Sequence, residues 1–254
     1  MKRALRILTT LAVAIAFGVA PAQAADPTAV EYAAGSYQGF FLSSMTGENG
    51  MFSMDLTPIH HRQLHGNLMV TGMTIPFNVT IGQSQVFTAV GQHGAFVAHG
   101  KILQVNGDGS VVAMSHYKLG ADRGTLLFLK PIPTDNPLQL ANTYTGSFTR
   151  DDGQTGALII VVRQVGSYFS GMATFGDLAA GGMSVPYGAT VGVVPPDPDK
   201  GAPIHIISLT PFATLTADAT VNGDGSISGV VHVMFGDGSV HTARFTLRPF
   251  TEPE

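Results

Sequence analysis

The sequence predicts an all-β protein built from two tandem homologous antiparallel domains, each a β-barrel-like or β-sandwich unit of about seven strands. Composition, an internal repeat and the period of the apolar residues carry that reading. Thirty-one glycines and fifteen prolines stand against four glutamates in 254 residues. This mixture disfavours helix and suits short strands joined by tight turns.

The repeat sets the domain count. Tyr37-Gln38-Gly39-Phe40-Phe41 matches Tyr144-Thr145-Gly146-Ser147-Phe148, and Gly72-Met73-Thr74-Ile75-Pro76-Phe77 matches Gly182-Met183-Ser184-Val185-Pro186-Tyr187. The hexapeptide Val-Asn-Gly-Asp-Gly-Ser occurs at 105–110 and again at 221–226, and Leu129-Lys130-Pro131 returns as Leu247-Arg248-Pro249. The matches keep their order, and the spacing lengthens where the second copy carries extra loop residues such as Pro195-Pro196-Asp197-Pro198-Asp199-Lys200-Gly201. The copies are residues 35–131 and 142–249. Residues 132–141 between them read as a linker, because Pro131, Pro133 and Pro137 cannot all serve a strand ladder.

Within each copy the strands follow from alternation. Residues 51–56 alternate imperfectly, while residues 157–162 are continuously apolar, as in a strand buried on both faces. In the first copy, runs at 64–70, 74–81, 96–105, 110–118 and 123–130 are separated by Gly- and Asn-containing turns. The opening Gly35-x-Tyr37-x-Gly39-x-Phe41, followed by meandering strands, resembles the small up-and-down barrels of the avidins and lipocalins in architecture. The tryptophan that those families place near the first strand is missing, as the chain has none, so no ligand is carried over from them.

The amino terminus reads as an export signal. Lys2, Arg3 and Arg6 precede an apolar stretch at 7–19, and Ala22-Gln23-Ala24 has small residues where a signal peptidase cuts. The stretch is shorter than the roughly 20 residues of a membrane span, so no span is expected after cleavage. The expected location is the periplasm or the exterior. With no cysteine, neither disulfides nor a lipid-modified cysteine are available, and stability must come from buried cores. Loss of the three leader cations moves the net charge from −4 to about −7, unlike the basic footprint of a nucleic-acid binder. An outer-membrane barrel fits less well: it would carry aromatic girdles, whereas this chain has no Trp, six Tyr and a polar end at residues 251–254.

Three groups of residues are candidates for chemistry. Asn106 and Asp108, with Asn222 and Asp224, alternate like calcium ligands. The twelfth position of such a loop needs a bidentate acid, but here it is Tyr117 or Val233. These residues read as hairpin turns, and no calcium site is expected there. His60, His61 and His65 form a histidine-rich stretch and a weak metal candidate. A loop is expected at His60-His61 after Pro58, and on one strand His61 and His65 would stand about 13 Å apart. His116 and His232 occupy equivalent places six residues after Ser110 and Ser226. They share a strand face with Val112 and Met114, and with Val230, and are expected to point inward, either as hydrogen-bonded core residues or as ligand-binding residues lining a pocket in each domain.

Catalytic patterns are thin. There is no Gly-x-Ser-x-Gly elbow, and a thiol nucleophile is impossible. Asp55 and Asp218 lie in strand-like runs at different offsets, while Asp151-Asp152 and Asp197/Asp199 fall in turns. The reading is therefore a non-catalytic binding protein for a small apolar ligand, a metal, or an envelope or extracellular partner. The alternatives are a hydrolase-type enzyme with a site formed between strands, or an outer-membrane barrel.

Overall fold

The computed structural model describes residues 29–60, 62–70, 72–176, 182–193 and 201–251. The expected export signal and Asp197/Asp199 lie outside the described residues.

The two copies form two closed barrels of eight antiparallel strands. The first comprises β1 (Gly35–Ser43), β2 (Asn49–His60), β3 (Gln63–Val70), β4 (Met73–Ile81), β5 (Val86–Gly91), β6 (Phe96–Val105), β7 (Val111–Leu119) and β8 (Asp122–Lys130). The second comprises β9 (Thr143–Arg150), β10 (Thr155–Val165), β11 (Tyr168–Phe175), β12 (Met183–Val191), β13 (Ala202–Leu209), β14 (Ala213–Val221), β15 (Ile227–Phe235) and β16 (Val240–Pro249). Each strand pairs with the next, and β1 pairs with β8 and β9 with β16 to close the ladders. Eight strands per copy replace the expected seven. In the first copy the extra strand is β5, only six residues long and bracketed by tight turns with positive φ at Ser84, Gln85, His93 and Gly94.

Closure sorts side chains by parity, because successive residues point to opposite faces. Phe52, Met54 and Leu56 of β2, Leu64 and Leu68 of β3, and Phe77, Val79 and Ile81 of β4 belong to the first barrel's core. Phe128 is the hub, with the rings of Tyr37, Phe52 and Phe87 edge-on at 5.7, 6.2 and 5.9 Å. A short helix, α1 (Ala29–Ala33), covers one mouth of this barrel, and Val30 and Ala33 are buried in the core. The Tyr37 hydroxyl donates to the Ala33 carbonyl at 2.8 Å, and the Lys130 ammonium donates to the Tyr32 carbonyl at 2.7 Å. In the second barrel, Leu138, Leu140 and Ala141 pack on the corresponding core, and the Ala141 N–H donates to the Tyr144 hydroxyl at 3.1 Å.

The VNGDGS segments are hairpin turns with one construction. Asn106 N–H donates to the Ser110 carbonyl at 3.0 Å, and Ser110 N–H donates to Asp108 Oδ1 at 2.9 Å. Asn222 and Asp224 repeat these bonds with Ser226 at 2.8 and 2.9 Å. Gly109 and Gly225 take φ of 86° and 76°, which glycine adopts without cost.

The barrels dock side by side. The outer faces of β1, β7 and β8 contribute Phe40, Val112, Leu127 and Leu129 to a shared cluster, and β13 contributes Ile207 and Leu209. Residues 126–129 are consequently buried on both faces of β8, alternating between barrel interior and docking surface. Residues 157–162 are not doubly buried as expected: Leu158, Ile160 and Val162 point inward, while Val161 is 46% exposed. The linker is tied to the second barrel. Ile132 N–H donates to Thr190 Oγ1 and its carbonyl accepts from Ser167 Oγ, both at 2.6 Å.

Gly100 tests how tightly the first interior is filled. It faces Ser115 across β6 and β7, and an added Cβ would overlap the Phe87 ring, the Met114 carbonyl oxygen and the Ser115 Cβ. Gly100→Ala should cost about 1–3 kcal/mol in urea unfolding. Gly107→Ala, with nothing within 4 Å of the new carbon, should stay within about 0.5 kcal/mol.

Candidate functional site

The first barrel encloses a cavity of about 40 Å³, and the second one of about 60 Å³. Both are far smaller than the roughly 150 Å³ apolar cavity that holds a benzene molecule. The first is lined by aliphatic and aromatic side chains from all eight strands, by Ala33 of α1, and by two hydroxyl-bearing residues, Tyr37, whose hydroxyl is bonded to the Ala33 carbonyl, and Ser115 on β7. Ser115 is 2% exposed, and its Oγ has no hydrogen-bond partner among the described residues. A buried hydroxyl left without a partner costs about 1–3 kcal/mol, so it marks a place where a polar atom would be held.

The duplication isolates this feature. Five residues after Ser110 lies Ser115; five after Ser226 lies Val231, which lines the second cavity. Of the hydroxyl-bearing residues in the second cavity wall, which are Tyr187, Ser208 and Thr216, Ser208 donates to the Pro186 carbonyl at 2.6 Å and Tyr187 to the Val161 carbonyl at 2.9 Å. One barrel thus keeps a free polar handle in an apolar interior, and in the other Ser208 and Tyr187 are satisfied.

His116 and His232 do not point inward. Both are exposed on the outer face of their strands, one residue along from the inward-facing Ser115 and Val231. Val112 and Met114 do share a face with His116, but that face is the outside of the barrel. They are apolar because the second barrel covers them. Beyond that cover the same face reaches water, and His116 is placed there. Thr125 Oγ1 lies 3.4 Å from His116 Nδ1, and Thr242 Oγ1 lies 3.4 Å from His232 Nδ1.

The histidine stretch is dispersed. His60 belongs to β2, which continues through Pro58 by way of a bulge instead of ending in the expected loop. His65 lies opposite Thr57, three residues from His60 and about 10 Å along the strand. Its Nδ1 is 3.0 Å from Asn78 Oδ1. His61 lies outside the described residues. Among the described residues no three histidine, aspartate or glutamate side chains gather as a metal cluster.

Sequence reasoning missed a polar bridge between the barrels. His205 of β13 is directed out of the second barrel, where Asp218 lies opposite it on β14. Its Nδ1 is 2.6 Å from Asp218 Oδ1, and its Nε2 is 2.8 Å from Asp108 Oδ2 in the first barrel's VNGDGS turn. Gln104 Nε2 donates to Asp218 at 3.4 Å from the first-barrel side. Burial alone would depress the His205 pKa, but the two carboxylates, by hydrogen bond and charge, outweigh it and lift it to about 9. Burial likewise opposes ionisation of Asp108, yet the bonds from His205 and Ser110 lower it to about 2. For Asp218 the hydrogen bond to His205 is the main cause of a lowered pKa. With both ring nitrogens donating to carboxylates, His205 is held as a cation and has no free nitrogen to serve as a base. The signal available in the sequence was a lone histidine in the apolar run Pro203-Ile204-His205-Ile206-Ile207.

Comparisons with known proteins place the chain in no family. No family model matches it, and no curated protein matches it. A solved structure of a protein of unknown function from the DUF3598 family of Nostoc punctiforme PCC 73102 overlays with a TM-score of 0.29 at 9% identity. That alignment covers 89% of this chain and 99% of the other.

The bridge makes a pH prediction with a definite sign. His205 is raised from 6.5, so its stabilisation is complete below pH 6.5 and lost as pH rises through about 9. Asp108 is lowered from 3.8, so its stabilisation is present above pH 3.8 and lost as pH falls through about 2. The urea midpoint of the native protein should therefore exceed that of His205→Gln most at pH 4–6, and the gap should shrink by pH 10. A gap that stays constant from pH 6 to 10 would contradict a charged bridge.

Proposed function

We propose that this is an exported, non-catalytic binding protein whose first barrel takes a largely apolar ligand carrying one hydrogen-bonding group. The Ser115 hydroxyl carries the reading, as a buried and unpartnered group in a largely apolar cavity wall whose other hydroxyl, that of Tyr37, is bonded to the Ala33 carbonyl. Ligand sites commonly pair an apolar lining with a few placed polar groups, and this barrel has that composition. The leader-like segment at residues 1–24 supports export to the periplasm or beyond.

Size sets the form of binding. A cavity of about 40 Å³ admits a few heavy atoms. A longer apolar chain would need more room, which displacement of α1 would supply, since Ala33 forms part of the cavity wall. Such a ligand would replace Val30 and Ala33 as the apolar stopper and present an oxygen to Ser115. The second barrel, with Val231 at the equivalent position and its own serine satisfied, supports the first by docking.

The test is organic extraction of natively purified protein followed by mass spectrometry, compared with Ser115→Val. The native protein should yield an apolar molecule bearing a hydroxyl or carbonyl. Ser115→Val should bind the recovered molecule about five- to a hundredfold more weakly, from the loss of one buried hydrogen bond. Its unliganded stability should be unchanged or higher, as an unpartnered hydroxyl is removed. Equal binding by Ser115→Val, or recovery of no apolar molecule, would count against the reading.

A further inference from the structure

The outside of the same wall carries a second arrangement, independent of the barrel interior. His99 on β6 lies directly opposite His116 on β7, and both side chains are exposed on the outer face. Each has a threonine on its far side. Thr88 of β5 faces His99, with Oγ1 3.2 Å from His99 Nδ1. Thr125 of β8 faces His116, with Oγ1 3.4 Å from His116 Nδ1. Four adjacent strands therefore present a row Thr88–His99–His116–Thr125.

The row orients the rings. In an imidazole, Nδ1 and Nε2 lie on opposite sides of the axis through Cβ and Cγ. With both Nδ1 atoms turned outward to the threonines, both Nε2 atoms lean toward the space between the histidines. When each Nδ1–H donates to its threonine oxygen, Nε2 keeps its lone pair, the tautomer a metal ligand requires. Directly opposed residues of an antiparallel pair have Cα atoms about 4.5–5.5 Å apart. That separation lets two nitrogens meet one ion at bond lengths of about 2.0–2.1 Å.

We propose that His99 and His116 form a two-histidine site for a divalent transition ion of the zinc or copper type, with solvent completing its coordination. Imidazole suits these ions, whereas calcium and magnesium prefer oxygen ligands. Lys101 and Lys118 follow the pair along the same strand faces, so affinity comes from the nitrogens and not from a negative field. The second barrel provides the internal control. His232 is equivalent to His116 and also has its threonine, Thr242, but the residue opposite it on β14 is Thr216.

The experiment is titration of the untagged full chain with zinc sulfate alone, followed by calorimetry and by the imidazole NMR signals. One equivalent should bind saturably, shifting the signals of His99 and His116 together and leaving His232 unmoved. His99→Ala and His116→Ala should each abolish the saturable phase, whereas His232→Ala should keep it. Thr88→Val should weaken binding by about tenfold through loss of the orienting hydrogen bond. All four positions are at the surface, and circular dichroism should show each variant folded. Saturable binding that survives His99→Ala, equal response of His232, or no saturable binding at all would overturn the site. None of those results bears on Ser115, which faces the other side of the wall.

Discussion

Closure of each eight-stranded ladder is the constraint on which the rest of the structure depends. Once β1 bonds to β8 and β9 to β16, no strand edge remains among the described residues, and each strand residue faces either a barrel interior or its outer wall. The interiors of these small barrels are filled largely by their own side chains, leaving room for a few atoms in each. Chemistry is therefore confined to two kinds of place: rare polar positions facing in, and clusters on the wall facing out. Ser115 and the His99–His116 pair are one of each, on opposite sides of the same sheet.

Duplication made two barrels, and docking made them unequal. The first barrel turns β1, β7 and β8 toward its neighbour, while the second turns mainly β13, so different strands of the repeated unit are covered in the two copies. Asp108 acquired a role that Asp224 lacks. One oxygen of Asp108 holds the turn through Ser110, and the other accepts from His205 across the interface. The equivalent carboxylate of Asp224 bonds Ser226, which belongs to its own turn. A repeated turn thus serves as a local hairpin in one copy and as half of an inter-barrel bridge in the other.

The repeat, the strand-rich composition and the Asn-Gly-Asp-Gly turns were legible in the sequence, because each is a property of residue identity and order and needs no knowledge of which surfaces meet. What could not be read depends on the partner barrel. The apolar face of Val112 and Met114 implies burial, but periodicity does not say whether the burying surface is the interior or another domain. That ambiguity turned His116 inward in the sequence reading. The continuous run at 157–162 misled in the opposite sense: its alternate members, Val161 among them, stand on an uncovered wall. The segments buried on both faces are parts of β7, β8, β12 and β13, all near the docking surface. His205 was hidden for the same reason, since its two carboxylates come from residues 13 and 97 positions away.

In the proposed function the two copies divide their work, the first barrel holding a ligand through Ser115 and the second bracing it. A crystal structure of the natively purified protein, without added ligands, addresses this most directly. Continuous density should fill the first barrel, with a polar atom about 2.6–3.2 Å from Ser115 Oγ. The space beside Val231 should hold protein side chains alone. Density confined to the second barrel, or a ligand bound in the first with Ser115 untouched, would contradict it.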